Sequence, residues 1–108
     1  MSTSIPRGNI LKMYAVQVTY DPANISGTAT TTEQDITVTG VLAGDIVITV
    51  NKPSHTTGVT IGAARVKAND TVSIQWVNPT AGAVNPASEA YTIVIARPEL
   101  PLSSIFKA

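Results

Sequence analysis

There is no cysteine anywhere in this chain of 108 residues. Disulfides, thiolate metal sites and a cysteine nucleophile are thereby excluded, and the fold must rest on its own core, on partners, or on both. Charge is also scarce. Asp, Glu, Lys and Arg make up 13% of the residues, against roughly 25% in an ordinary soluble domain. The seven basic and seven acidic residues balance, with no run of either sign. Nucleic acid and anionic membranes are held through clustered Lys and Arg, so neither is expected as a partner. One Trp, three Tyr and one Phe leave little material for a sugar-stacking platform. No window approaches the ~20 consecutive apolar residues of a membrane-spanning helix. Near the N-terminus, Arg7 and Lys12 are not followed by a continuous apolar stretch. No secretory signal is expected, and the chain is read as made in a cytoplasm and soluble until it assembles.

What remains is a chain that is 44% hydrophobic, its polarity supplied mostly by Thr, Ser, Asn and Gly. A surface so short of charge is poorly protected against association. It belongs either to an ordinary Thr-rich β domain or to one whose surface is largely covered in an assembly.

Three parts follow along the chain. Residues 1–13 form an N-terminal arm with Pro6, Gly8, Ile10, Leu11 and Met13; residues 14–97 form the body; residues 98–108 form a C-terminal tail with Pro98 and Pro101. The body alternates with period 2, the signature of strands. Tyr14, Val16, Val18 and Tyr20 share one face, and Ile36 and Val38 alternate with Asp35, Thr37 and Thr39. After the Ala43-Gly44-Asp45 turn, Ile46, Val47 and Ile48 are apolar on both faces, which predicts a central strand. Parity then switches between Ile61 and Val66, predicting a bulge near Gly62-Ala63-Ala64. Asn69-Asp70 turns the chain into Val72, Ile74 and Trp76, and Tyr91, Ile93 and Ile95 form the last strand. The expectation is a single all-β domain: an antiparallel β-sandwich or flattened barrel of six strands, or seven where segment 28–33 adds one, with extended arms at both ends.

Chemistry is hard to find. His55, the lone histidine, sits in a loop beside Ser54, without a second ligand at metal spacing. Asp21, Asp45 and Asp70 stand at turns, where their side chains bond nearby backbone N–H groups. Glu33 and Asp35 share one strand face, but no oxygen-rich loop accompanies them to complete a calcium site. Gly40, Gly44, Gly58 and Gly62 lack phosphate-binding spacing. Trp76 falls on the parity of Val72 and Ile74, so it is expected in the core rather than on a sugar. No catalytic residue, metal or cofactor is expected.

The arms say more. Leu100, Leu102, Ile105 and Phe106 are large apolar side chains in a tail whose two prolines keep it extended. Burying each is worth roughly 1.5–3 kcal/mol, so some surface should receive them. Ile5, Ile10, Leu11 and Met13 pose the same question at the other end. The expected partner contacts are Ile5, Arg7, Ile10, Leu100, Leu102, Ile105 and Phe106.

Glu33-Gln34, Thr37-Val38-Thr39-Gly40, Gly44-Asp45, Val47, Asn51-Lys52-Pro53, Gly58, Gly62-Ala63-Ala64-Arg65-Val66, Ile74, Val77-Asn78, Pro86-Ala87-Ser88-Glu89 and Tyr91 together resemble small virion proteins of tailed bacteriophages. The resemblance spans about residues 14–97 and implies a virion structural role. Within that group the reading is a capsid decoration, or cement, protein. It would bind the major capsid protein on the outer head surface as a homotrimer, without catalysis. The alternative is a head- or tail-fibre module that recognises host glycans.

Overall fold

The computed structural model describes residues 9–28 and 30–99, with Thr30 and Thr31 described by backbone alone. Among them are six strands and no helix. They are β1 (Ile10–Tyr20), β2 (Thr30–Thr37), β3 (Ile46–Asn51), β4 (Thr60–Ala68), β5 (Thr71–Asn78) and β6 (Glu89–Pro98). Two three-stranded antiparallel sheets result, in the orders β1-β6-β3 and β2-β5-β4. The expected sandwich is therefore present, but it does not close into a barrel. No separate seventh strand lies in segment 28–33, because residues 30–33 open β2.

Alternation decides the inner faces. From the first sheet come Tyr20, Tyr91, Ile93 and Ile95, and from the second Ile36, Val72, Ile74 and Trp76, all buried. Tyr14, Val16, Val18, Val47, Val50, Ile61, Ala64 and Val66 pack around them. The parity switch in β4 is a bulge: Ile61 pairs with Trp76 and Ala63 with Gln75, leaving Gly62 unpaired. The extra residue lets Ile61 and Val66 both face the core.

Two sequence expectations need correction. β3 is an edge strand, not a central one, and Ile46 and Ile48 are about half exposed. Its apolar outer face is surface, and the strands flanked on both sides are β5 and β6. Also, β1 begins at Ile10 rather than Tyr14, so Ile10 to Met13 belong to the sheet. Pro98 likewise ends β6 opposite Ile10. A proline is tolerated there because the N–H that bonds this end of β1 is supplied by Glu99, which donates to the Asn9 carbonyl at 2.7 Å.

Polar side chains tie the sheets and loops together. The Trp76 indole donates to the Tyr20 hydroxyl at 3.1 Å, and that hydroxyl donates to Gln34. Gln34 in turn receives the Ala23 N–H and donates to the Ala23 carbonyl, each at 3.0 Å. Tyr20 and Tyr91 meet edge-on, ring centroids 5.1 Å apart. Buried Asn78 donates to the carbonyls of Ile25 and Gly82 and accepts from the Thr80 N–H, all at 3.0 Å. This holds segment 25–28 against segment 80–84.

Gly27 sits in that junction with no room for a side chain. A Cβ there would lie 2.8 Å from the Ala81 carbonyl and from the Gly82 oxygen, both backbone groups that cannot swing aside. Gly27→Ala is expected to destabilise by about 1–3 kcal/mol, the usual cost of overpacking. The urea midpoint followed by Trp76 fluorescence measures it, and an unchanged midpoint would mean the two segments part freely.

Candidate interaction surface

The polar clusters are structural in their geometry. On the outer face of the second sheet, Arg65 donates to Glu33 through Nε at 2.7 Å and Nη2 at 2.9 Å. Lys67 reaches Asp35 at 2.8 Å, and Ser73 donates to the same carboxylate. The Arg65 hydrogen bond holds the Glu33 carboxyl below its ordinary range, and the Lys67 bond does the same for Asp35. Both acids stay ionised but are committed to cations. Among the described residues no group of His, Asp and Glu is placed to hold a metal ion.

The loop after β3 is similar. Lys52 forms an ion pair with Glu89 at 2.8 Å and donates to Thr56 Oγ1 at 2.8 Å. Ser54 gives its hydroxyl hydrogen to Glu89 Oε1 at 2.7 Å. The Lys52 bond keeps Glu89 below its usual range, so Ser54 faces a weak base. His55 beside it is exposed. The arrangement fastens the loop to the start of β6.

Asp45 does more than the turn role read from sequence. Its side chain is 1% exposed and accepts from Arg97 Nε at 2.9 Å and Nη2 at 2.8 Å. It also accepts the Leu42 N–H at 3.0 Å, the expected turn contact. Arg97 donates further to the Gly40 carbonyl at 2.9 Å, fixing the loop before β3 against the end of β6.

The two outer faces differ in kind. The second sheet presents Glu33, Asp35, Arg65 and Lys67. Outward positions of the first sheet are Met13, Ala15, Gln17 and Thr19 on β1, Ala90, Thr92, Val94 and Ala96 on β6, and Ile46, Thr49 and Asn51 on β3. None is ionisable. In register, Met13 and Ile46 flank Ala96 from either side, and Ala96 itself is buried. At the open side, β3 and β4 line a cleft of about 250 Å³, with the bulged residues Ile48 and Gly62 both on its walls.

Of the expected partner contacts, Ile10 is described: it lies at the start of β1, 47% exposed, on the rim of this face. Ile5, Arg7, Leu100, Leu102, Ile105 and Phe106 lie outside the described residues. Leu42, Ile46 and Ile48 were not among those expected, and Met13 was read only as an apolar residue of the N-terminal arm. The signal for Ile46 and Ile48 was the apolar double face of β3, which also fits an edge strand. No family model matches this chain, and no curated protein or solved structure matches it.

Proposed function

We propose that this protein is a non-catalytic decoration module of a tailed-phage head, binding capsid protein by surface burial and associating with copies of itself as a trimer. The observation that carries the reading is the unequal sandwich. One outer face is laced with ion pairs suited to water, and the other is uncharged and bears half-exposed Met13 and Ile46. An uncharged face with large apolar side chains exposed on it supports a protein-binding role. The phage assignment rests on the sequence resemblance alone. Trp76 is 1% exposed, which leaves the glycan-binding alternative without its stacking residue.

The test is co-sedimentation with empty shells of the major capsid protein from the same genome. Saturable binding should persist between about 0.1 and 1 M salt, because apolar contacts are not screened as ion pairs are. The bound shells should melt at a higher temperature. Sedimentation of the free protein should give about 34 kDa, three times the 11.2 kDa chain. Shells that neither bind the protein nor gain stability would refute the decoration role.

A further inference from the structure

Each sheet ends in two edge strands, and three of the four edges are built against further pairing. β2 carries Glu33 and Asp35, which an antiparallel copy of itself would set against like charges. β3 is six residues long and slips register at Ile48. β4 slips twice, at Gly62 and at Lys67, and also carries Arg65. Shortness, bulges and charge are the usual guards of a sheet edge. β1 lacks them. From Lys12 to Tyr20 it pairs with β6 in unbroken register, with no Gly or Pro and with Lys12 as its one charge.

Burial along β1 shows the same missing neighbour. Tyr14, Val16 and Val18 pack against the core yet are only partly buried. Their pairing partners on β6, Ile95, Ile93 and Tyr91, are fully buried. Among the described residues no strand lies on the outer side of β1. A strand laid there would cover the open flank of those three side chains and bond the free backbone groups of the edge.

Charge identifies that strand. Lys52, Arg65, Lys67 and Arg97 hold the carboxylates of Glu89, Glu33, Asp35 and Asp45 in that order. Lys12 holds none, and its ammonium lies 5.2 Å from the centre of the Tyr14 ring. Asp21, exposed just past the other end of β1, likewise has no ion pair among the described residues. These two charges are opposite in sign and bracket the strand. We propose that β1 pairs antiparallel with β1 of a second copy, about a two-fold axis at Val16, joining two first sheets into one. That register keeps Tyr14 opposite Val18 on the inward side, and it sets Lys12 opposite Tyr20, beside the partner copy's Asp21. The contact is self-complementary, as a two-fold interface requires, and makes the Lys12–Asp21 pair twice. It goes beyond the trimer of the proposed function, because it would link a copy in one trimer to a copy in the next.

The experiment uses three full-length variants, Lys12→Glu, Asp21→Lys and Val16→Cys. The first two alter exposed side chains and should leave circular dichroism unchanged. In sedimentation velocity at low salt, each of these alone should associate about tenfold more weakly than wild type, because two exposed ion pairs become two repulsions. Mixed, they should recover wild-type strength, since one variant then has two acidic ends to its strand and the other two basic ends. Val16→Cys, in a chain with no other cysteine, should cross-link to itself under mild oxidation. Charge variants that associate as wild type does would overturn the proposal. So would a wild type that is monomeric at every concentration, or a Val16→Cys protein that stays uncross-linked where wild type associates. The trimer fails separately. A wild type that stops at about 22 kDa, twice the 11.2 kDa chain, would keep the β1 pair and strike the trimer. One that stops at 34 kDa, with no Val16→Cys cross-link, would keep the trimer and strike the pair.

Discussion

Replacing Asp45 with Ala should cost the fold about 2–4 kcal/mol at neutral pH, and the cost should shrink in acid. The substitution leaves the Leu42 N–H without its acceptor and the Arg97 fork without its carboxylate. The hydrogen bond from Arg97 holds the Asp45 carboxyl below its ordinary range. A folded-state pKa below the unfolded one means the stabilisation is complete above the unfolded value, ~4, and is lost as pH falls through the folded value. Glu33, Asp35 and Glu89 are shifted in the same direction by their cations and add to this trend. Their more exposed pairs should fade with added salt, whereas the Asp45 pair should not. Urea midpoints for wild type and Asp45→Ala at pH 7 and pH 3 provide the check. An equal difference between the two proteins at both pH values would show that the ionised carboxylate is not what stabilises.

Trp76→Ala should be more damaging, at about 3–5 kcal/mol. The side chain is the largest in the core, and its N–H is the donor that joins β5 to Tyr20 on β1 across the sandwich. For a domain of this size the melting midpoint should fall by roughly 15 °C or more. Trp76→Phe should cost less, because the ring space stays largely filled while the Tyr20 hydroxyl loses one partner. Circular dichroism is the readout, since the fluorophore is gone. A fall of only a few degrees for Trp76→Ala would place the weight of the core elsewhere.

Residue alternation carried the sequence reading a long way. Tyr14 to Tyr20, Val72 to Trp76 and Tyr91 to Ile95 each showed which face was inward, and the parity slip at Gly62 marked the bulge. Strand order was not legible in the same way. Ile46-Val47-Ile48 reads alike for a strand covered by neighbours in its own sheet and for an edge strand whose outer side awaits a partner. The partners of Asp45 were hidden too, because Arg97 lies far along the chain and meets it only through the pairing of β3 with β6. The same distance hid the uncharged face. Met13 and Ile46 become neighbours of Ala96 through sheet pairing, which no local window contains.

That pairing has a consequence for the order in which the molecule can be made. The second sheet draws all its strands from residues 30–78, and its β4–β5 connection is a tight turn at Asn69 and Asp70. It can form while the chain is still emerging from a ribosome. The first sheet cannot, because both β1 and β3 pair with β6 and not with each other. Until residues 89–98 are synthesised, β1 has no ladder to join and its outward row is no surface at all. The uncharged face is thus the last part of the fold to exist, and until then the inward row of the second sheet, Val72, Ile74 and Trp76, has no opposite layer to cover it.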